Sequence, residues 1–328
     1  MLVPRLPVAC FAVLTLACSP AASAQPAQSS QSIVNGTKEL GWEQVVGFTP
    51  MGCSASMITP RVMLTAGHCG DDMSDEAIIN EGQARFGPLM YNADYSIGFD
   101  DYARHPDYTP IVLVADLALA FLSEDAPVTP IALLRTEALS SKHIGVELLS
   151  VGYGASGGGG VGLGIKRSAP VIINEITAEN IRILQAENPN EGGTCGGDSG
   201  GPNLFDLNGR WQQWGITSAG DPECQATDVY ARVDKYSEWI LDHVEEWHGT
   251  RDMCAINGLY DDGLCDGFCP IHDPDCVPSI VEVQQAMDEQ LDPHGCGRWG
   301  YFPDESQLVK SALFLPLFFI LGLRRQGP

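Results

Sequence analysis

Short apolar runs separated by turn residues dominate the middle of the chain, from about residue 45 to about residue 245. Each run has the length of a β-strand, and Gly, Pro, Asn and Asp stand between the runs. This pattern indicates an all-β sandwich or barrel. The predicted strands include residues 55–58, 62–66, 111–114, 146–151, 171–173 and 181–184.

The segment that follows these runs has the spacing of a helix. Its apolar residues stand three and four positions apart, which places them on one helical face. The sequence therefore predicts an amphipathic helix over 236–247, behind the β-rich part of the chain. The apolar positions are Tyr236, Trp239, Ile240, Val244 and Trp247.

The overall charge excludes one class of partner. The chain has 328 residues, with 18 Lys and Arg against 42 Asp and Glu, which gives a formal net charge of −24. Nucleic-acid binding requires a basic surface, so we expect no nucleic-acid partner. We also expect no cofactor, apart from a calcium ion considered below.

The stretch over 193–202 surrounds Ser199 with glycines and places Asp198 directly before it. A serine hydroxyl becomes a nucleophile when a base removes its proton and N–H groups face the developing oxyanion. Glycines permit the backbone angles and the close approach that such a site needs. Taken alone, the stretch also fits a Gly-rich surface turn.

Two other stretches supply the groups that this serine would need. His68 lies in 64–69, and Asp116 lies in the apolar run 111–122. A carboxylate in so apolar a run needs a partner, and an imidazolium is a good candidate. The order His, Asp, Ser is one of the known orders of this triad, whereas α/β-hydrolase esterases begin with Ser.

Together these stretches resemble the trypsin/chymotrypsin-like serine peptidase family, over about 33–250. The resemblance implies two six-stranded antiparallel β-barrels with a C-terminal helix and the triad in the cleft between the barrels. Further matching motifs lie at 33–36, 152–154, 214–220 and 229–233.

The resemblance also implies the role of each residue in peptide-bond hydrolysis. Ser199 is the nucleophile, His68 the general base and acid, and Asp116 the group that orients the imidazole. The backbone N–H groups of Gly197 and Ser199 form the oxyanion hole. We therefore predict a serine endopeptidase acting through an acyl-enzyme on proteins or peptides. The alternative is a catalytically silent surface binding or adhesion protein on the same scaffold.

The N-terminus predicts export and activation. Residues 1–24 read as a secretory signal with an A-x-A cleavage site, and 25–32 as a short propeptide. Cys18 as a lipid-modified N-terminus is the alternative. By the resemblance, the freed ammonium of Ile33 pairs with Asp198 and orders the oxyanion loop. Family precursors commonly carry Arg or Lys before the cleavage point, so Ser32 predicts an activating protease of another specificity.

The resemblance places the primary substrate pocket around Gly193, at whose position trypsin-type enzymes carry an aspartate. Asp228, on the opposite wall, leaves two hypotheses open. Pointing into the pocket, it attracts Arg or Lys; covered by neighbours, it leaves a medium apolar pocket. We favour small or medium apolar substrate side chains. The predicted pocket residues are Gly193, Thr194, Ser218, Gly220 and Asp228.

Cysteines support export, since disulfides persist in oxidising compartments. The resemblance implies that Cys53 pairs with Cys69 and Cys195 with Cys224. An acidic module over 251–277 carries four more cysteines, whose connectivity the sequence does not reveal. Calcium bound by Asp261, Asp262 and Asp266 is one hypothesis for this module, and a plain disulfide knot is the other.

The C-terminus predicts display at the cell surface. A polar linker over 278–310 contains Cys296, and 311–328 is an apolar tail with a basic end. Its apolar core is short for a membrane span of ~20 residues. The tail resembles a myxobacterial sorting signal, cut by a sorting protease at the cysteine. A membrane anchor that is kept is the alternative.

Overall fold

The structure, a computed structural model, describes residues 36–110, 113–131, 133–185, 192–207 and 209–276. The predicted signal peptide, propeptide, linker and tail, with Ile33, lie outside these ranges. The strands are β1 (Thr37–Lys38), β2 (Val45–Thr49), β3 (Cys53–Met57), β4 (Val62–Thr65), β5 (Gln83–Phe86), β6 (Tyr95–Ile97), β7 (Phe99–Arg104), β8 (Ala118–Leu122), β9 (Leu133–Leu134), β10 (Glu147–Gly152), β11 (Arg167–Ile172), β12 (Glu175–Ile176), β13 (Asn180–Leu184), β14 (Pro202–Leu207), β15 (Arg210–Gly220) and β16 (Thr227–Arg232). The α-helices are α1 (Asp75–Glu81), α2 (Val233–His248) and α3 (Met253–Asn257).

The first sheet is antiparallel and closes on itself. Its strand order is β6-β5-β2-β3-β4-β8-β7, so β6 and β7 stand at opposite ends. Gly98 alone separates these two strands along the chain. The segment 95–104 therefore joins both edges, and counting it as one strand gives a barrel of six.

The second sheet closes in the same way. Its order is β1-β11-β10-β14-β15-β16-β13-β12, and β9 pairs with β15 outside this path. Only residues 173–174 separate β11 from β12, which lie near opposite ends. The two-residue strands β1 and β9 are additions at the margin. Six strands remain when β11 and β12 are counted as one, which confirms the predicted two-barrel, all-β fold.

Helix α2 extends the helix predicted over 236–247 by a few residues at its start. Its buried side chains Tyr236, Ile240 and Val244 join the largest apolar cluster, which fills the first barrel. Gly249 ends the helix in the left-handed conformation, with φ of 76°. The helix that follows the second barrel therefore packs back against the first and fastens the two together.

The prediction of a strand over 111–114 is wrong for residues 113 and 114, which the structure describes. Leu113 and Ala115 both have φ of 51°, and Val114 forms only an isolated bridge to Thr109. The apolar character of Val114 reflects its packing against the first barrel rather than a place in the sheet. This turn delivers Asp116 to the barrel edge just before β8 begins.

The acidic module is attached to the two-barrel domain by packing and by hydrogen bonds. Its disulfides join Cys254 to Cys269 and Cys265 to Cys276. The side chains of Met253 and Ile256 pack against the core of the first barrel, and the guanidinium of Arg210 on β15 binds module carboxylates. Among the described helices, none combines the length and hydrophobicity needed to cross a lipid bilayer.

Candidate active site

Strand pairing brings His68 and Asp116 together. Strands β4 and β8 are antiparallel neighbours, with Thr65 opposite Ala118. The residues that follow β4 and those that precede β8 therefore emerge at the same edge of the barrel. His68 lies there in a single 3₁₀ turn (Gly67–Gly70). A side chain at position 67 would be crowded, because a Cβ there would lie 3.2 Å from the Tyr108 ring and 3.3 Å from the Asp116 carboxylate.

The Asp116 carboxylate holds His68 at two points. Its Oδ1 accepts a hydrogen bond from the backbone N–H of His68 at 2.8 Å, and its Oδ2 lies 2.8 Å from the imidazole Nδ1. The hydroxyl of Ser218 donates to the same Oδ2 at 2.5 Å. Asp116 has no exposed surface, so these donors replace the water that a charged carboxylate needs. The imidazole is thereby fixed in position and orientation.

The electrostatics of His68 follow from this pairing. Burial lowers the pKa of the imidazole, but the hydrogen bond and charge of Asp116, together with the charge of Asp71, outweigh it. The pKa of His68 is therefore raised above its usual 6.5. An imidazole of this kind accepts a proton readily and is stabilised once it becomes a cation.

Ser199 lies in a turn that contacts both barrels. Its carbonyl accepts a hydrogen bond from the backbone N–H of Ser54 on β3 at 2.8 Å, and the Sγ of Cys69 lies 3.8 Å from it. The following Gly200 has φ of 83°, and a Cβ there would collide with Thr65 and Ser54. Glycine is therefore required, and the turn places the partly exposed Ser199 beside the segment that carries His68.

The backbone on the other side of Ser199 presents free donors. Gly197 has φ of 97°, and a Cβ there would collide with Leu163. Within the described ranges, no group accepts a hydrogen bond from the N–H of Gly197 or of Ser199. Two neighbouring unpaired N–H groups form the kind of site that stabilises an oxyanion.

Asp198 is buried beside the Gly-Tyr-Gly segment over 152–154. Its carboxylate accepts hydrogen bonds from the backbone N–H of Gly154 at 2.7 Å and of Cys195 at 2.9 Å. A Cβ on Gly152 or Gly154 would collide with this carboxylate, which explains the two glycines. Burial raises the pKa of Asp198 to about 7. Within the described part of the chain, no Lys, Arg or His forms an ion pair with it.

Of the predicted pocket residues, Thr194 and Gly220 lie against Asp228 and Gly193 lies against Gln185, whereas the Ser218 hydroxyl binds Asp116. Asp228 has no exposed surface, and its carboxylate accepts hydrogen bonds from the side-chain amide of Gln185 and from the backbone N–H of Thr194. Gly220 lies directly against this carboxylate, since a Cβ there would be 3.0 Å from it. Of the two hypotheses for Asp228, the structure has the covered arrangement. Gln185 carried no signal in the sequence, because it stands at the end of an ordinary strand.

A cleft of about 360 Å³ lies beside the oxyanion donors. Met51, Tyr91 and Leu163 give it an apolar lining, and the Gly-rich segment 157–164 forms one side. Residues of this segment line the cleft next to Gly197.

Disulfides hold both loops that carry the chemistry. Cys53 is bonded to Cys69, next to His68, and Cys195 is bonded to Cys224 across the pocket. The sulfurs of Cys53 and Cys69 lie near His68, but their disulfide removes them as metal ligands.

The carboxylates considered for calcium have other partners. Arg210 donates to Asp262 at 2.7 Å and to Asp266 at 2.8 and 2.6 Å. Asp261 has φ of 60° in the adjoining turn. The calcium hypothesis for Asp261, Asp262 and Asp266 stays a prediction, and the pairing with Arg210 favours the plain disulfide knot.

Comparison with known proteins found a matching family model and several similar proteins. A family model described as trypsin matches residues 29–240. The chain is 30% identical to brachyurin of Leptuca pugilator over 210 residues, which cover 57% of this chain and 85% of that protein. It is 29% identical to mouse tryptase over 253 residues, 67% of this chain and 91% of that protein. It is 31% identical over 215 residues to the Drosophila melanogaster serine proteinase stubble, where the match spans 58% of this chain and 27% of that protein.

Proposed function

The chain belongs to the trypsin family and is a serine endopeptidase, and on this premise we propose that Ser199, His68 and Asp116 carry out the hydrolysis in a protein exported from the cell. The observation that carries the assignment is the two-point contact between Asp116 and His68, with both distances at 2.8 Å. The partly exposed Ser199 lies beside the same loop and supplies the hydroxyl.

The reaction runs in two halves. His68 takes the proton of the Ser199 hydroxyl through Nε2 while the oxygen bonds to the peptide carbonyl carbon. The N–H groups of Gly197 and Ser199 donate to the oxyanion that forms. The C–N bond then breaks as His68 returns the proton to the leaving amine. Water, deprotonated by His68, attacks the acyl-enzyme and releases the second product and free Ser199. Asp116 stabilises the imidazolium in both halves.

Activation is assigned to the new N-terminus. Cleavage after Ser32 frees the ammonium of Ile33, which pairs with the Asp198 carboxylate. Support comes from Asp198 itself, which is buried with only backbone N–H partners among the described residues and whose pKa is raised to about 7. A cation supplied there stabilises the charged carboxylate and orders the loop that carries Gly197.

Export and surface display complete the proposal. Four disulfides join eight cysteines of the described chain, which supports maturation in an oxidising compartment. We assign residues 1–24 as the signal, 25–32 as the propeptide and the tail over 311–328 as the sorting signal. N-terminal sequencing of the active enzyme should begin at Ile33. Mass spectrometry that finds Arg324 and Arg325 on the mature surface protein would contradict removal of the tail.

A fluorophosphonate probe tests the catalytic assignment. The protein matured at Ile33 should be labelled covalently at Ser199 and should cleave a casein or peptide-library substrate. Ser199→Ala is the matched control and should lose both label and cleavage while it keeps its fold by circular dichroism. An unlabelled, folded wild-type protein that cleaves nothing would favour the catalytically silent binding protein instead.

A further inference from the structure

Gln185 lies directly against the carboxylate of the substrate pocket. It follows the last residue of β13, whose neighbour Ile183 is paired with Asp228 on β16. The side-chain Nε2 of Gln185 donates to both carboxylate oxygens of Asp228, at 2.8 and 2.7 Å. Both residues are buried. The contact joins two strands that are neighbours in the sheet but distant along the chain.

The same amide fills the place of a missing side chain. Gly193, predicted to form the pocket floor, has no Cβ, and one built there would collide with the amide carbon, nitrogen and oxygen of Gln185. Where the resemblance places the pocket floor, the space beside Gly193 is therefore occupied by the Gln185 amide, which reaches across from β13. An aspartate or any other side chain at position 193 is incompatible with this arrangement.

Both carboxylate oxygens of Asp228 are engaged in hydrogen bonds within the protein. Oδ1 accepts from Gln185, and Oδ2 accepts from Gln185, from the N–H of Thr194 at 2.8 Å and from the hydroxyl of Tyr230 at 3.4 Å. No Lys or Arg of the described ranges is ion-paired with Asp228. An entering Arg or Lys would have to displace the Gln185 amide first, and lose the hydrogen bonds that the amide makes.

One polar atom of the floor remains unpaired. The Oε1 of Gln185 is buried, and the described residues give it no hydrogen-bond partner. It belongs to the amide that occupies the position of the missing Gly193 side chain. The group that occupies the space beside Gly193 is thus a neutral amide with one open acceptor, and its nitrogen is hydrogen-bonded to the Asp228 carboxylate.

We propose that Gln185 is a specificity-determining residue: it covers Asp228 and makes the pocket floor neutral, so that uncharged substrate side chains of medium size are preferred over Arg and Lys before the cleaved bond. The inference rests on the proposed function, since it assigns the substrate class of the same site. Specificity of this kind arises because the wrong side chain leaves buried polar groups without partners.

The test compares peptide amide substrates that differ only in the residue before the cleaved bond, with Leu, Gln, Lys or Arg at that position. The wild-type enzyme should cleave the Leu substrate with a kcat/KM at least about 10-fold above that for Arg. Gln185→Ala should raise kcat/KM for Arg and Lys relative to Leu by about 10-fold or more, because one charge-assisted contact becomes available. In the double variant Gln185→Ala/Asp228→Asn this gain should disappear, since no carboxylate remains.

The controls separate this inference from the function on which it rests. Gln225→Ala changes an exposed glutamine near the same pocket and should leave the Arg-to-Leu ratio unaltered. All rates are divided by the fraction of enzyme that a fluorophosphonate labels, so partial misfolding does not enter the ratio. A labelled wild-type enzyme that prefers Arg or Lys, or a Gln185→Ala enzyme with an unaltered ratio, would overturn the role of Gln185. If the variant fails to fold, the substrate preference of the wild-type enzyme still tests the inference. If the wild-type protein is neither labelled nor able to cleave any substrate, the proposed function itself has failed.

Discussion

The carboxylate of Asp116 binds His68 through both the main chain and the ring, with one oxygen on the backbone N–H and the other 2.8 Å from Nδ1. A single side chain thus sets both the position of the loop and the orientation of the imidazole. Ser218 donates to the ring-facing oxygen from the second barrel. The pair therefore depends on how the two barrels are assembled.

Replacing Asp116 by Asn should abolish most of the activity. An Asn amide cannot accept hydrogen bonds from both the backbone N–H and the imidazole Nδ1 of His68, as the carboxylate does. The imidazole is then no longer held in the required tautomer, and its cation is no longer stabilised by a negative charge. We expect kcat to fall by about 10⁴-fold. Ser218→Ala removes one hydrogen bond to Asp116 and should reduce kcat by only about 3- to 10-fold. Kinetics normalised by active-site titration check both, and an Asp116→Asn enzyme whose kcat lies within about 10-fold of wild type would refute the assignment.

The pH profile should report the raised pKa of His68. The neutral imidazole is the active form, so kcat/KM falls as the pH drops through this pKa, with a midpoint above 6.5. Asp71→Asn removes one negative charge that raises the pKa, so its midpoint should move to lower pH. The shift of the midpoint should become smaller at high salt, because Asp71 is partly exposed to solvent.

The neighbouring exposed residue provides the control for that shift. Asp72→Asn also removes a negative charge, but Asp72 does not contribute to the raised pKa of His68. The midpoint of its pH profile should therefore equal that of the wild type. An equal shift of the midpoint in the two variants would mean that the net charge of the protein, rather than Asp71 in particular, raises the pKa of His68.

The state of Asp198 should make stability depend on the N-terminus. The pKa of this aspartate is raised from 3.8 to about 7 by burial. The folded protein without a paired ammonium therefore binds a proton that the unfolded chain releases, and its stability falls as the pH rises between these two values. The expected slope is about 1 kcal/mol per pH unit. In protein that begins at Ile33, pairing should remove this fall.

Urea unfolding of two proteins that differ by one residue measures the effect. One begins at Ser32 and the other at Ile33, and both carry Ser199→Ala to prevent self-cleavage. The difference in unfolding free energy should grow from near pH 5 to near pH 7. Asp198→Asn in the Ser32 protein should remove the part of the pH dependence that comes from this carboxyl, whereas parallel curves for the two starting proteins would argue against the Ile33–Asp198 pair.

Arg210 should be more important for the acidic module than calcium. Arg210→Ala leaves the buried Asp266 without its cation, so Tm should fall by about 3–6 °C. Wild-type Tm should not respond to millimolar calcium, because Arg210 occupies Asp262 and Asp266. Arg182→Ala breaks an exposed pair with Glu175 and should change Tm little. A calcium-dependent rise in the wild type would favour the metal hypothesis.

Much of the fold was accessible from the chain alone because its signals are local. Strand lengths and turn residues indicated the all-β class, and the spacing from Tyr236 to Trp247 indicated the helix. The apolar run over 111–114 led to a wrong strand prediction, because hydrophobicity alone does not distinguish a strand from a turn that packs against a barrel. Leu113 and Ala115 instead adopt left-handed angles in the turn that precedes β8.

The residues assigned to the chemistry came from short motifs whose requirements also lie close together in the sequence. A turn that exposes Ser199 needs glycines at fixed neighbouring positions, and Gly197 and Gly200 both have positive φ. Asp198 needs space, which the glycines at 152 and 154 provide. Backbone geometry of this kind can be predicted from the sequence, because it requires glycine at fixed positions.

Only the tertiary structure decided how the charges are covered and how the module is fastened. Gln185 and Asp228 are 43 positions apart, and Arg210 and Asp266 are 56 apart. No local pattern links such pairs, because their contact depends on strand register and on the docking of separate segments. The connectivity of Cys254, Cys265, Cys269 and Cys276 was hidden for the same reason: it follows from how the chain folds back, and several pairings are compatible with one spacing.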